Sequence, residues 1–367
     1  MRTLERLLIV SPAYPSKQHY ASAFVHSRCK VYRKHGHDVL VVVPSRYVNF
    51  YKFEGINVLS GPLQMVKSLS FDPDIICIHA PSPKVVNLMR TLGKPLVAWI
   101  HGSDILITAF HHYFPPWNVL AKLRSLRSDI LRNLQLRRAF KYLSAVVYPS
   151  RWMHHMAKRY LLWDHPSSFI IPNPVDVELF KPISPKQFDQ LYIDLISVRS
   201  LEWKYGLDLA IRAISNDPRI RLTIIGKGSL EKYLRELATM LRSNVLFITE
   251  ALEQYKLPSY FASAICFLAP SRTEAQGVSM CEAMACGLPV IATKTGGIPE
   301  FIRDGYNGIL VPPEDPLELR SAIKALYENK RLWNRLSQNA IRFIRENLSS
   351  ERIYQREIEV LEASLRS

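Results

Sequence analysis

Short apolar runs bounded by glycine, proline or polar residues recur along the chain, and between them apolar positions return every three or four residues. Unbroken apolar runs of this length suit strands covered on both faces, and the intervening period is helical. Strands are expected at Leu7–Val10, Val39–Val43, Ile75–Ile78, Leu96–Ile100 and Ala145–Tyr148 in the first half. In the second half they are expected at Asp194–Val198, Arg221–Ile225, Val245–Ile248, Ile265–Leu268, Val290–Ala292 and Ile309–Val311. Strands alternating with helices specify an α/β fold with mostly parallel sheets, whose ligands bind beyond the carboxyl ends of the strands. The pattern breaks at Ile171-Pro172-Asn173-Pro174-Val175-Asp176 and again at Phe180-Lys181-Pro182. Two domains, 1–172 and 173–345, are expected there, since 367 residues exceed one ordinary core. A further helical pattern runs from Leu332 to Leu365, and no internal repeat is present.

The densest chemistry follows the run Ala264-Ile265-Cys266-Phe267-Leu268-Ala269, in the segment Pro270-Ser-Arg-Thr-Glu274-Ala-Gln-Gly277-Val278-Ser279-Met-Cys-Glu282. Gly277 frees the backbone, and a helix is expected from Val278 to a stop at Gly287, with Pro289 beyond it. The first amides of such a helix favour an anion. Glu282 falls inside the helix and Glu274 outside it, so a phosphate and a sugar could be held together.

Glu274-x7-Glu282, with Ala283-Met-Ala-Cys-Gly287-Leu-Pro289-Val-Ile-Ala-Thr293, resembles the retaining glycosyltransferases of family 4, also called glycosyl transferases group 1. The likeness continues through Gly296-Gly297-Ile-Pro-Glu300 and Asp304-Gly-Tyr-Asn-Gly-Ile-Leu-Val311. It implies the GT-B fold: two Rossmann-like α/β domains with mostly parallel sheets facing across a cleft. Residues 1–172 would be the acceptor side and 173–345 the nucleotide-sugar side, with a helix in 346–367 packing back on the first domain. It also implies that Glu274 contacts donor-sugar hydroxyls, that Glu282 contacts the ribose, and that the amides of Gly277, Val278 and Ser279 hold the distal phosphate and sugar. The chain departs from the family at Pro174, where a glycine is usual, and at Gln276, where Phe is common. The loop Ser11–Tyr20 departs too, lacking the adjacent glycines of many members.

Three further constellations fit this picture. Arg199 and Lys204-Tyr-Gly206 follow the first strand of the second half and look like the family's diphosphate-binding cations. Fixed cations facing a departing diphosphate lower the barrier, Arg by bidentate geometry and Lys as a point charge. Gly226-Lys-Gly228 resembles a dinucleotide turn, but lacks a third glycine and a ribose-binding acid at the usual distance, so it is assigned to the donor-side loop. His101-Gly-Ser-Asp104 ends a strand and looks like the family's catalytic His-Gly-x-Asp, with His79 at a similar strand end. A histidine at a strand end is otherwise a hydrogen-bonded structural residue. Asp72-Pro-Asp74 matches a metal-binding triplet of another fold, but its setting before a buried strand reads as a turn. No metal and no tightly bound cofactor is expected, the nucleotide-diphosphate sugar being a co-substrate.

Charge changes the picture for the first half alone. Residues 1–180 carry 23 Lys and Arg against 10 Asp and Glu, net +13, whereas the remainder carries 25 against 22, net +3. A basic half suits an anionic membrane, a phosphorylated lipid or nucleic acid, but no nucleic-acid motif is present. Five cysteines, at 29, 77, 266, 281 and 286, in mostly apolar settings suggest a reducing compartment. No run suits a signal peptide or a membrane span, so a cytoplasmic protein is expected, peripheral at most.

Between Phe110 and Leu143, aromatics that include Trp117 precede a helical pattern. Its Leu120, Leu123, Leu126, Ile130, Leu131 and Leu134 recur among Lys122, Arg124, Arg127, Arg132, Arg137, Arg138 and Lys141. Periodicity favours a core-packed helix with a solvated basic face. The alternative is an interfacial contact with membrane or acceptor through Trp117, Arg124, Arg127, Arg137 and Arg138. The combined expectation is a retaining glycosyltransferase acting on a lipid-linked saccharide, glycolipid or surface polysaccharide. A sugar-nucleotide epimerase of the same fold and a non-catalytic basic binding protein remain as alternatives.

Overall fold

The computed structural model describes residues 4–16, 22–183, 191–250 and 252–366. Residues 17–20 of the unusual first loop lie outside the described residues. The chain divides into two compact units. The first comprises Met1–Thr108, Leu123–Pro174 and Ser350–Ser367, and the second comprises Ala109–Lys122 and Val175–Ser349.

The first unit is built on an eight-stranded sheet. Its strands are β1 (Arg6–Val10), β2 (Asp38–Pro44), β3 (Asn49–Phe53), β4 (Ile56–Gly61), β5 (Ile75–His79), β6 (Leu96–Trp99), β7 (Ala145–Tyr148) and β8 (Ser168–Ile170). The order is β3-β4-β2-β1-β5-β6-β7-β8, and only β3 runs antiparallel, to β4. Residues 75–79, 96–99 and 145–148 are buried throughout, as parallel strands with both faces covered must be. The order reverses between β1 and β5, which puts the end of β5, and His79 with it, at a topological switch point.

The second unit carries β9 (Ile193–Val198), β10 (Ile220–Ile225), β11 (Asn244–Ile248), β12 (Cys266–Ala269), β13 (Val290–Thr293) and β14 (Ile309–Val311). They form a wholly parallel sheet in the order β11-β10-β9-β12-β13-β14. Apolar clusters cover it on both faces, one around Leu195, Leu222 and Leu336, the other around Phe267, Met284 and Ile344. Its switch point lies between β9 and β12, whose following loops begin with Arg199 and Pro270.

Every strand expected from the sequence is present to within one residue at each end. Strands β3, β4 and β8 were not expected. Residues Glu54 (φ 42°) and Gly55 (φ 84°) make a two-residue left-handed turn between β3 and β4, the geometry that favours a hairpin. Strands β3 and β8 lie on the sheet's edges and are only partly buried, so they lack the unbroken apolar run of a central strand.

The expected helix over 332–365 is two helices, Lys330–Asn347 and Ser350–Arg366. They part at Leu348, whose carbonyl accepts the Val175 amide at 2.8 Å. The second of them belongs to the first unit and packs along helix Ala23–Lys34. Its Glu357 is fully buried, and Oε1 accepts from Arg28 Nε at 2.7 Å and Trp99 Nε1 at 2.9 Å, while Oε2 accepts from Tyr32 Oη at 2.6 Å. Arg28 also donates to Asn173 Oδ1 at 3.0 Å. A buried charge so saturated with partners is tolerated, whereas either partner alone would be costly.

The basic segment forms one helix, Val119–Phe140, and it does not pack as its periodicity suggests. Asp129 and Asn133 are buried with Leu136, Ala139 and Phe140, whereas Leu120, Leu123, Ile130, Leu131 and Leu134 are exposed. Asp129 Oδ2 accepts the Thr108 amide at 2.7 Å and its hydroxyl at 2.6 Å, and Asn133 Nδ2 donates to the Ile105 carbonyl at 2.7 Å. These polar anchors turn the apolar stripe outward.

Candidate active site

The loops after β9 and β12 bring most of the expected residues together within the second unit. Arg199 leaves β9 with its side chain 5 % exposed, and its Nη1 donates to Glu274 Oε2 at 2.8 Å. Its Nε and Nη2 are buried and have no hydrogen-bond partner among the described residues. Leaving guanidinium N–H groups dry and unmatched is expensive unless something polar completes them. A Cβ on Gly277 would lie 3.1 Å from Arg199 Nη2 and 3.5 Å from Glu274 Cγ, so the bare glycine faces this pair.

Gly277, at φ 84°, caps helix Val278–Ala285 without a side chain of its own. No side-chain cap therefore serves the first amides of that helix, where the dipole also favours negative charge. The Ser279 hydroxyl donates to the Val198 carbonyl at 2.7 Å, so it pins the helix start to the end of β9 and leaves only its backbone for a ligand. One turn further on, Glu282 is buried and Oε1 accepts from Gln254 Nε2 at 3.0 Å. Burial pushes its carboxyl up to about 7, against the opposing pull of Gln254 and Arg199.

Lys204 sits in a short turn, Trp203–Tyr205, held by Arg272. The Arg272 amide donates to the Lys204 carbonyl at 2.7 Å, and Nη1 donates to the Trp203 carbonyl at 2.9 Å. The same guanidinium binds Asp208 through both oxygens at 2.8 Å, reaches Glu314 at 2.6 Å and lies 3.8 Å from the Trp203 ring centre. Gly206 closes the turn at φ 63°, where a Cβ would stand 1.9 Å from the Pro270 carbonyl oxygen. Only glycine fits there. The Lys204 ammonium is 4.2 Å from the Tyr113 ring centre and 4.8 Å from that of Tyr205. Burial works against its charge, yet Tyr205, Tyr113 and Glu274 together hold its pKa above the ordinary value.

Gly226 and Gly228 support the same loop. A Cβ on Gly226 would lie 2.0 Å from the Arg199 carbonyl oxygen, and one on Gly228 would lie 2.4 Å from that of Leu201. The absent side chains let the backbone after β10 lie against the Arg199 loop. Trp117 joins the second unit as well, edge-on to Trp203 at 5.2 Å and beside Tyr233 at 5.3 Å.

The remaining expected residues belong to the first unit. His101 Nε2 and His79 Nδ1 are 3.1 Å apart, and burial followed by the charge of Arg28 pushes the His101 pKa down to about 3, so the ring is neutral. Its Nδ1 is buried with no partner among the described residues. Asp104 accepts the His101 and Gly102 amides at 3.0 and 2.6 Å and so shapes the turn that carries the histidine. Arg124, Arg127 and Arg138 are exposed on helix Val119–Phe140, and Arg137 is partly buried. Asp74 accepts the Glu5 and Arg6 amides at 2.9 and 2.8 Å, and Asp72 pairs with Lys94 at 2.7 Å. That is the structural turn expected of the Asp-Pro-Asp triplet.

No local pattern in the sequence marks Gln254, Arg272, Asp208 or Glu314, and Tyr113 stands out there only as one of the aromatics after Phe110. Arg272 lies inside the recognised motif, but its partners are 42 and 64 residues away. Gln254 reaches Glu282 across 28 residues with no spacing that betrays it.

Two family descriptions match the chain: Glycosyltransferase Family 4 over residues 17–179, and Glycosyl transferases group 1 over residues 183–343. An uncharacterized glycosyltransferase of Methanocaldococcus jannaschii is 25% identical over 301 residues, covering 80% of this chain and 77% of its own. The GDP-mannose-dependent monoacylated alpha-(1-6)-phosphatidylinositol monomannoside mannosyltransferase of Corynebacterium glutamicum is 28% identical over 248 residues, 62% of each chain. HepE of Anabaena, solved in complex with UDP-glucose, superposes with a TM-score of 0.75 at 20% identity, over 98% of this chain and 99% of its own. The two parallel-sheet units are those of the GT-B fold. With its first half matched by one description and its second half by the other, and with the two-sheet architecture in common, the chain belongs to the group 1, family 4 glycosyltransferases.

Proposed function

We propose that this protein moves a sugar, with retention at the anomeric carbon, from a nucleotide-diphosphate sugar to a hydroxyl of a lipid-linked saccharide, glycolipid or surface polysaccharide. The observation that carries the reading is Arg199, a buried guanidinium with Nε and Nη2 unmatched beside Glu274 and an uncapped helix start. A diphosphate would complete those donors and be stabilised as negative charge gathers on departure. Lys204 adds the second cation. The amides of Gly277, Val278 and Ser279 would hold the distal phosphate and sugar, Glu274 the sugar hydroxyls and Glu282 the ribose. Gly226 and Gly228 serve the donor by seating the Arg199 loop, and His101 is the catalytic group proposed for the first unit.

In the proposed transfer, the bond from the anomeric carbon to the phosphate oxygen breaks and a bond to the acceptor oxygen forms on the same face. The acceptor's hydroxyl proton passes to the leaving phosphate oxygen. No covalent nucleophile is assigned. The Anabaena neighbour's UDP-glucose and the Corynebacterium relative's GDP-mannose dependence favour a nucleotide-sugar donor, and the latter's acylated phosphatidylinositol acceptor favours a lipid-linked one. Among the described residues no helix is long and apolar enough to cross a membrane, and we place the enzyme peripherally at the cytoplasmic face.

A panel of nucleotide-diphosphate sugars tested by thermal shift, with Arg199→Ala alongside wild type, checks the reading, because a ligand of the native state raises its melting temperature. One donor should shift wild type and leave the variant unmoved. No shift with any donor in a folded protein would overturn the proposal, and conversion of the donor's sugar without an acceptor would replace it with an epimerase.

A further inference from the structure

Helix Val119–Phe140 presents to solvent what a packed helix hides. Leu123, Leu131 and Leu134 are 61%, 50% and 51% exposed and Ile130 44%, at spacings that stack them on one side. Arg127 and Arg138 are exposed on that same side, interleaved with the leucines. Single exposed leucines are ordinary, but a row of them sharing one helix face with cations marks an interaction surface. The orientation is held in place, because Asp129 and Asn133 on the opposite side are fastened to Thr108 and Ile105, and Arg132 pairs with Asp129 at 2.8 Å while donating to the Leu106 carbonyl at 2.9 Å.

We propose that this outward face, with Leu123, Ile130, Leu131 and Leu134 among Arg127 and Arg138, docks onto an anionic lipid bilayer. Charge selects the occupant. Residues 1–180 carry net +13, so a second copy would set like charge against like, whereas an anionic leaflet is complementary. The aliphatic side chains would enter the boundary of headgroups and acyl chains, and the arginines would stay at phosphate level with their stems along the apolar surface. Nucleic acid fits less well, because leucines and an isoleucine stand where backbone-contacting polar groups or stacking aromatics would be needed. The inference deepens the lipid-acceptor reading and takes its purpose from it, but the binding is measurable without any donor.

Flotation of the full chain with phosphatidylcholine vesicles, with and without phosphatidylglycerol, tests it. Wild type should float at low salt only with the anionic vesicles and be released as salt is raised. Leu131→Ser with Leu134→Ser, and separately Arg127→Glu with Arg138→Glu, should each abolish flotation while the melting temperature stays at the wild-type value, since all four side chains face solvent. Failure of wild type to float, or wild-type flotation by the leucine pair, would overturn the proposal, as would concentration-dependent dimerisation of wild type that the leucine pair loses. Donor thermal shifts on the same preparations separate the two readings, because a protein that binds donor but not vesicles loses only the docking surface.

Discussion

Glu282, buried against Gln254 and proposed to hold the ribose, ties the stability of the fold to pH. Its folded pKa, about 7, lies above the ordinary carboxylate value of 4.5, so the native state holds more protons than the unfolded chain between these values. Stability from this group is therefore greatest below that window and is lost as pH rises through it, with a cost on the order of 3 kcal/mol above pH 7. Glu282→Gln should flatten this slope, giving a ligand-free melting temperature above wild type at pH 8 and close to it at pH 5. Donor binding should run the other way if the carboxylate accepts from a ribose hydroxyl, so wild-type affinity should weaken toward tenfold per pH unit below 7 while the variant's stays low and flat. Calorimetry at several pH values measures both. The two glutamates were legible in the sequence because their spacing places one in a loop and one in a helix behind a strand. Gln254, which holds Glu282, was not, since side chains that meet across 28 residues leave no local pattern.

At the scale of elements, apolar strands announce themselves and the directions of helices do not. Strands β5, β6, β7, β12 and β13 are buried throughout and read as unbroken apolar runs, and edge strands β11 and β14 were legible because Val245–Ile248 and Ile309–Val311 are apolar runs too, whereas β3 is interrupted by Lys52 and β8 spans only three residues and opens on Ser168. For helix Val119–Phe140 the apolar period was legible, but its facing was decided by Asp129 and Asn133, two polar residues that only tertiary partners could turn inward. Turns carry information of another kind. Gly226, at φ 148° and against the Arg199 carbonyl, should not tolerate a methyl group, because neither backbone can yield cheaply. Gly226→Ala should lower stability by about 1–3 kcal/mol and abolish the donor-dependent melting shift. Gly93→Ala, also at positive φ but with nothing within 4 Å of the new methyl, should keep that shift.

For the whole molecule, alternating strands and helices made two α/β units legible, and helix Ser350–Arg366 belongs to the first of them. Which unit claims residues 109–122 was not legible, because a local period carries no sign of the sheet on which a segment packs. Their place in the second unit brings Tyr113 to Lys204 and Trp117 to Trp203. The first unit in turn depends on Glu357. Glu357→Ala would leave Arg28 buried without its carboxylate, and a loss of about 3–5 kcal/mol is expected in urea denaturation, the usual penalty for breaking a buried pair. Glu357→Gln, which keeps the acceptor oxygen but not the charge, should lose less.

That pair also has a bearing on synthesis. Arg28 precedes Glu357 by 329 residues, so the carboxylate that pairs with Arg28 is made only after every strand of the first unit. The second unit draws only on residues up to Ser349, and all its parts have emerged before Glu357 does. The half encoded second is thus the first that can close around its own core, and the half encoded first is sealed last, by a helix made after everything it covers.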